Sequence, residues 1–220
     1  MSKEYTPPKK FDYNIIAIGG GAGGLVTSYI AAALNAKVAL VEKNKMGGDC
    51  LNYGCVPSKA LIKSAKVVHY SKRAKEFGLN KIEVDFDFSE VMERVSRVIK
   101  AIEPHDSVER YTSLGVDCYQ EEAQLVSPYE VKVGDKVFTT KNIVLATGAA
   151  PFVPPIKGIE DVGYYTSDTI WEIRERPENL VVLGGGPIGS ELAQAFSRLG
   201  CNVTQVQSCL LYTSPSPRDS

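Results

Sequence analysis

An α/β architecture built on a repeated strand, turn, helix and strand unit is predicted by three features of the sequence. A near-continuous apolar run at residues 11–18, FDYNIIAI, leads straight into glycines at positions 19, 20, 21, 23 and 24. A second apolar run at residues 179–183 leads into GGGPIG, whose first glycine lies 165 positions after Gly19. Between them, from Gly115 onward, the pattern changes to short strands separated by turn signals. Apolar, β-branched runs of this kind read as parallel strands covered on both faces. The fold class is therefore α/β with two Rossmann-like dinucleotide-binding units, the second incomplete, and a small antiparallel β insertion.

Residues 1–10 are polar with two prolines and read as a disordered lead-in. In the first unit Gly19, Gly21 and Gly24 satisfy G-x-G-x-x-G. The first permits the tight turn, the second lets backbone amides approach a pyrophosphate, and the third lets helix pack closely on strand. A helix over 24–36 and a strand over 37–41 follow, ending in Glu42, 23 positions after Gly19. A carboxylate about 20 residues on is the usual partner of an adenosine ribose 2′-hydroxyl. Residues 15–36 carry no charge and are long enough to raise a membrane span, but five glycines opening a strand–helix alternation favour a buried strand, turn and helix.

Residues 47–62, GGDCLNYGCVPSKALI, hold the one close pair among five cysteines, Cys50 and Cys55. On a regular helix that spacing leaves the α-carbons roughly 9 Å apart, beyond the window of about 4.4 to 6.8 Å for a disulfide. Either the two do not pair or the backbone between them is distorted, and Asn52 and Gly54, both tolerant of positive φ, make distortion cheap. Pro57 suits a first helical turn. A thiol at such a helix start feels the positive end of the helix dipole, which favours the thiolate. Three readings compete: a structural disulfide, disfavoured without a secretion signal; a zinc knuckle, for which only His69 lies nearby; and redox chemistry, which leads.

A helix over 58–77 ends at Gly78. A second helical pattern over 88–111 carries Val91, Val95, Val98, Ile99 and Ile102 on one stripe, with Pro104 as a kink or restart. Strands at 116–119, 123–126, 130–133 and 136–139 are expected to form the antiparallel insertion. A strand at 142–146 then returns to the main sheet and ends in Thr147 and Gly148. Residues 149–160, AAPFVPPIKGIE, read as a crossover. In the second unit Gly184, Gly186 and Gly189 repeat the phosphate turn, a helix runs to Leu199, and a strand covers 202–207. Counting 23 from Gly184 lands on Gln207, neither an acid nor an arginine. Residues 208–220 show no period and read as a non-native tail.

The segment Gly47 to Lys59 resembles the signature GG-x-C-x4-C-V/I-P-S/K-K over 13 contiguous positions. That signature belongs to the class I pyridine nucleotide-disulfide oxidoreductases, the flavoenzymes that include dihydrolipoyl dehydrogenase, glutathione reductase and mercuric reductase. The chain looks most like the mercuric-reductase-like and dihydrolipoyl dehydrogenase-like members, with Asp49 and Tyr53 where threonine and a small aliphatic residue are usual. The resemblance implies FAD in an FAD-binding domain at 11–150, met by Gly19, Gly21, Gly24, Glu42, Lys43, Gly48, Ala123, Thr147 and Gly148, with Lys59 beside the flavin ring. It implies NADPH or NADH at the start of an NAD(P)-binding domain at 151–207, met by Gly184, Gly186 and Gly189, with Glu191 toward the nicotinamide. It implies a redox-active Cys50–Cys55 disulfide, Cys50 as the interchange thiol and Cys55 facing the flavin. The implied substrate is a small-molecule disulfide or Hg(II); a dihydrolipoyl dehydrogenase-type enzyme and a non-catalytic flavin sensor are the alternatives. Family members work as homodimers with a His-Glu base from a C-terminal domain of the partner subunit, so residues 1–220 alone are expected not to turn over.

Composition bounds the partners. With 25 basic and 26 acidic residues mixed along 220 positions, the chain has no electrostatic footprint for nucleic acid or an anionic membrane. A dithiol that must be re-reduced is expected in a reducing cytoplasm. His69 and His105 are expected to be structural or solvated, and no metal site is expected.

Overall fold

The computed structural model describes residues 5–208; the expected tail lies almost wholly outside the described residues. Alternation begins at once, with β1 (Tyr13–Ile18), α1 (Ala22–Ala33) and β2 (Val38–Val41). Two helices separated by a tight turn follow, α2 (Gly48–Asn52) and α3 (Cys55–Lys72). A 3-10 turn at Ala74–Phe77 ends on Gly78 in the left-handed region at φ 75°. The 88–111 pattern resolves into α4 (Phe88–Ile102), a 3-10 turn at Glu103–Asp106 carrying Pro104, and α5 (Val108–Ser113). The restart is where proline removes the helical N–H.

Strands β3 (Val116–Tyr119), β4 (Ala123–Ser127), β5 (Glu130–Val133) and β6 (Lys136–Leu145) complete the first sheet. Then come β7 (Asn179–Leu183), α6 (Pro187–Arg198) and β8 (Asn202–Val206). The chain divides into two compact units, one within Met1–Val56 and Arg97–Asp168, the other within Pro57–Ser96 and Thr169–Ser220.

The first unit holds a six-stranded sheet in the order β3-β2-β1-β6-β5-β4. Its centre is parallel: Ile15 of β1 faces Val38 of β2 on one side and Asn142 of β6 on the other. All four residues of β2 are buried, because alternate side chains feed two different cores. Val38 and Leu40 pack with Leu25, Tyr111 and Val116, whereas Ala39 and Val41 pack with Tyr13, Ile16, Val131 and Val133. Helix α1 covers the first face, and the antiparallel β5 arm, through Val131 and Val133, covers the second. That arm takes the place a second helical layer would have.

Two expectations are corrected here. Strand β3 is not part of the antiparallel insertion; it pairs in parallel with β2, Val38 against Val116. Val116 is 1% exposed and belongs to the α1-side core, so burial fixes its sheet. The strands expected at 136–139 and 142–146 are one ten-residue strand. Its first half pairs antiparallel with β5 and its second half parallel with β1, where Tyr13 faces Thr140. Only Thr140 and Lys141 lie between the two expected strands, and buried Thr140 is held in the strand by donating its hydroxyl to Asn142 O at 2.9 Å and its amide to Tyr129 O at 2.8 Å.

In the second unit β7 and β8 pair in parallel from Asn179↔Asn202 to Leu183↔Val206, joined by α6. Phe196 of α6 is buried, with its ring 6.2 Å from that of Phe88 in α4. Arg94 donates to Ala60 O at 2.8 Å, tying α4 to α3. Among the described residues no helix is long and apolar enough to cross a membrane.

Candidate functional site

The first glycine turn is fixed by backbone. Gly19 has φ 110°, and a Cβ there would lie 2.0 Å from Ala146 O and 3.1 Å from the Thr147 amide nitrogen. A Cβ on Gly24 would lie 1.8 Å from Gly19 O. These two positions therefore require glycine for protein packing alone. Gly21 does not: its Cβ would meet only Gly48 Cα, at 3.7 Å. Gly21 caps α1 with no side-chain hydrogen bond and no acid in the first turn, so the N-terminal amides and positive helix end are left to an anion. A pyrophosphate fits that arrangement, and it accounts for Gly21.

Around this turn the first unit gathers most of its predicted site residues. Glu42 accepts the Gly20 N–H through Oε2 at 2.6 Å and the Asn44 N–H through Oε1 at 2.7 Å. Lys43 Nζ lies 3.8 Å from Glu122 Oε1, one residue before Ala123. Thr147 and Gly148 follow β6 beside Gly19, and Gly148 has φ 69°. The Gly47 N–H donates to Gly20 O at 2.9 Å, and Gly48, at φ 54°, has no room for a Cβ, which would lie 2.5 Å from Gly21 Cα.

That contact carries the cysteine loop onto the nucleotide turn. Cys50 lies in α2 and is half-buried; Cys55 opens α3 and is exposed; the two are not joined by a disulfide. The distortion between them is not the one expected. Asn52 is helical, and neither it nor Gly54 has positive φ; the left-handed residues are Gly47 and Gly48. Asn52 works through its side chain, donating from Nδ2 to Met46 O at 3.0 Å and Gly48 O at 2.9 Å. Gly54 is needed for space, since a Cβ would lie 2.9 Å from Asp49 Oδ2. The Gly54 and Tyr53 amides both donate to Asp49 O, at 2.6 and 2.8 Å. This reversal brings the two thiols into a side-chain hydrogen bond despite the five-residue spacing.

Hydrogen bonding to Cys55 is the main reason the Cys50 thiol is pushed up to about 11 from its usual 9.0, with burial second and nearby negative charge, including Asp106, adding. Cys50 lies in the five-residue α2, and its proton is held by its neighbour.

Lys59 lies on α3, one helical turn after Cys55. In the second unit its Nζ donates to Glu191 Oε2 of α6 at 2.5 Å, so these two predicted residues are brought together. The second glycine turn repeats the first: Gly184 has φ 106°, a Cβ on Gly189 would lie 2.5 Å from Gly184 O, and Gly186 has no protein atom within 4 Å of a Cβ. Gly186 caps α6 without a side-chain bond. The Gly185 N–H donates to Gln207 Oε1 at 2.7 Å. Residues missed in sequence are Met46, Asn52 as a brace, and Gln205, which donates to Gly184 O at 2.9 Å. Polar residues beside a glycine turn were the available signal. Among the described residues no three His, Cys, Asp or Glu side chains cluster as a metal site.

Two strand, glycine-turn, helix and strand cradles, one of them tied to a hydrogen-bonded cysteine pair, define a dinucleotide-binding dithiol protein. The chain belongs to the pyridine nucleotide-disulphide oxidoreductase family, whose profile matches residues 13–215. It is 39% identical over 201 residues to a dihydrolipoyl dehydrogenase of Acholeplasma laidlawii, covering 89% of this chain and 60% of that one. It is 34% identical over 197 residues to a mercuric reductase of Bacillus cereus, covering 90% of this chain and 31% of the relative. The Cu(II) complex of the HOCl-induced flavoprotein disulfide reductase RclA from Escherichia coli superposes with a TM-score of 0.76 at 27% identity, over 93% of this chain and 44% of that one. The chain thus spans less than two thirds of the length of these relatives.

Proposed function

We propose that the chain is the nucleotide-binding part of an FAD-dependent NAD(P)H oxidoreductase that passes electrons through Cys50 and Cys55 to a small-molecule disulfide or to Hg(II). The observation that carries this reading is the hydrogen-bonded thiol pair on a loop whose Gly47 amide donates to Gly20 O, within the first glycine turn. Residues 11–150 are assigned to FAD binding and residues 151–207 to the beginning of NAD(P)H binding. Bound FAD supplies the electron relay between nicotinamide and sulfur.

The chain's own groups do the rest. The amides at the start of α1 bind a pyrophosphate, and Glu42 holds the turn in shape. By the family resemblance Cys50 is assigned as the thiol that meets substrate and Cys55 as the one that exchanges electrons with the flavin; in the dithiol form Cys50 keeps its proton while hydrogen-bonded to Cys55. Lys59, neutralised in part by Glu191, presents a cation beside the same helix start. The full-length protein is assigned as a cytoplasmic homodimer with no nucleic-acid or membrane partner. A dihydrolipoyl dehydrogenase-type activity is the second reading, favoured by the 39% identity to that enzyme.

The test is an anaerobic reductive titration of the chain reconstituted with FAD. The wild type takes up twice the reducing equivalents of Cys55→Ser and develops a long-wavelength thiolate–flavin band that the variant lacks. Equal uptake, or failure to bind FAD, overturns the proposal.

A further inference from the structure

We propose that a groove between the C-terminal ends of α3 and α6 binds a small amphiphilic carboxylate, its chain on apolar walls and its head group on Arg198 and Lys72. The groove lies within the second unit, has a volume of about 270 Å³ and is walled by Val68, Ile82, Val84, Phe86 and Leu199. It stands about 20 Å along α3 from Lys59 and needs no nucleotide. The walls follow from the sequence. In KIEVDFD, residues 81–87, apolar and acidic side chains alternate with the period of a strand, yet the segment has no strand partner among the described residues. Its apolar side chains line the groove and its acids do not: Glu83 pairs with Lys81, and Asp87 accepts the Ser89 N–H at 2.8 Å. Val68 and Leu199 are buried, whereas Ile82, Val84 and Phe86 remain 42%, 37% and 36% exposed, apolar area that the described chain leaves uncovered.

Charge decides the class of ligand. Lys72 and Arg198 line the groove, and among the described residues no carboxylate does. Neither cation has a hydrogen bond or an ion pair within the described chain. Cations in a last helical turn complement the helix dipole, which accounts for basic residues at these two positions. It does not account for a half-buried guanidinium set against apolar walls, whose N–H donors have no protein acceptor. The positive field is also felt by His69, one turn before Lys72: its imidazole is held below its ordinary pKa, first by desolvation and then by Arg198, Arg73 and Lys72, with Glu76 opposing. A carboxylate can meet a guanidinium through two parallel hydrogen bonds. An acyl or aryl chain of about eight carbons suits a space of roughly nine water volumes, at the small end of ligand pockets.

The experiment is calorimetric titration of the full chain with octanoate and with 1-octanol, for the wild type, Arg198→Gln and Val84→Asp, with circular dichroism melts to confirm that the variants fold. The wild type binds octanoate about tenfold or more tighter than octanol, as a charge-assisted contact to the head group requires. Arg198→Gln brings octanoate down to the affinity of octanol and changes octanol by less than about twofold. Val84→Asp, which places a carboxylate on the exposed wall, weakens both about tenfold or more. Octanol bound by the wild type as tightly as octanoate, or binding of neither, overturns the proposal whether or not the variants fold. Octanoate affinity that a folded Arg198→Gln or Val84→Asp does not move also overturns it.

Discussion

Lys59 Nζ and Glu191 Oε2 stand 2.5 Å apart although 132 positions separate them in the chain. The pair joins α3 to α6. With side chains 60% and 45% exposed, it contributes at most about 1 kcal/mol to stability. Lys59→Met is therefore expected to lower the urea-derived unfolding free energy by less than about 1 kcal/mol. In the FAD-reconstituted chain, loss of that cation should slow NAD(P)H-dependent flavin reduction by about a hundredfold. Stopped-flow traces unchanged from wild type would remove Lys59 from the redox site.

Gly48 tests the joint between the cysteine loop and the nucleotide turn. Its φ of 54° disfavours any side chain, and a Cβ would lie 2.5 Å from Gly21 Cα. Gly48→Ala should destabilise the fold by about 2 kcal/mol or more. Because the displaced backbone is Gly21, FAD affinity should fall along with the denaturation midpoint. A variant as stable as wild type, with undiminished flavin binding, contradicts this geometry.

The Cys50 thiol gives a prediction in pH. Its folded-state value is raised above 9.0, to about 11, chiefly by the hydrogen bond to Cys55. A raised thiol pKa means that the folded state favours the protonated form. The associated stability is fully present below pH 9.0 and is lost as pH rises toward about 11. Iodoacetamide labelling of Cys50 in the dithiol form should thus be slow at neutral pH and climb steeply only in that alkaline window. Cys55→Ala removes the main cause, so labelling of Cys50 should accelerate at pH 8. Mass-spectrometric labelling rates that are the same with and without Cys55 would refute the coupling.

Asn52 is predicted to act as a brace. Asn52→Ala removes donors to Met46 O and Gly48 O and should cost about 1 to 3 kcal/mol, measured by chemical denaturation. Asn52→Asp keeps the size but removes the NH2 donor, so it should be no better. Rescue by aspartate would show that the side chain's size, and not its hydrogen bonds, matters.

Much of the architecture was legible beforehand, and the reason is local. Strand β7 begins and ends where its apolar run does, and Pro104 marks the break between α4 and α5. The glycine spacing placed both turns because Gly24 and Gly189 must each pass close to a carbonyl five residues back. Sheet membership was less legible. The four residues of β3 look like those of any short strand, and only burial of Val116 against Leu25 and Tyr111 assigns it to the parallel sheet. The cysteine loop shows the same limit: its glycines were visible, but the two that take positive φ are Gly47 and Gly48, set by contact with Gly20 and Gly21.

By itself the sequence determined two nucleotide cradles, a cysteine pair set between them in the chain, and membership in a redox-enzyme family. The cradles follow from periodicity and from glycines whose conformational needs are met within a few positions of the chain, and the family from the resemblance of the Gly47–Lys59 segment to its signature. Tertiary structure alone decided that β6 runs unbroken through two pairings, that Lys59 meets Glu191, that Cys50 holds its proton against Cys55, and that Gln207 occupies the counterpart of Glu42. Each depends on atoms brought together by packing and hydrogen bonding, which no spacing along one chain can specify.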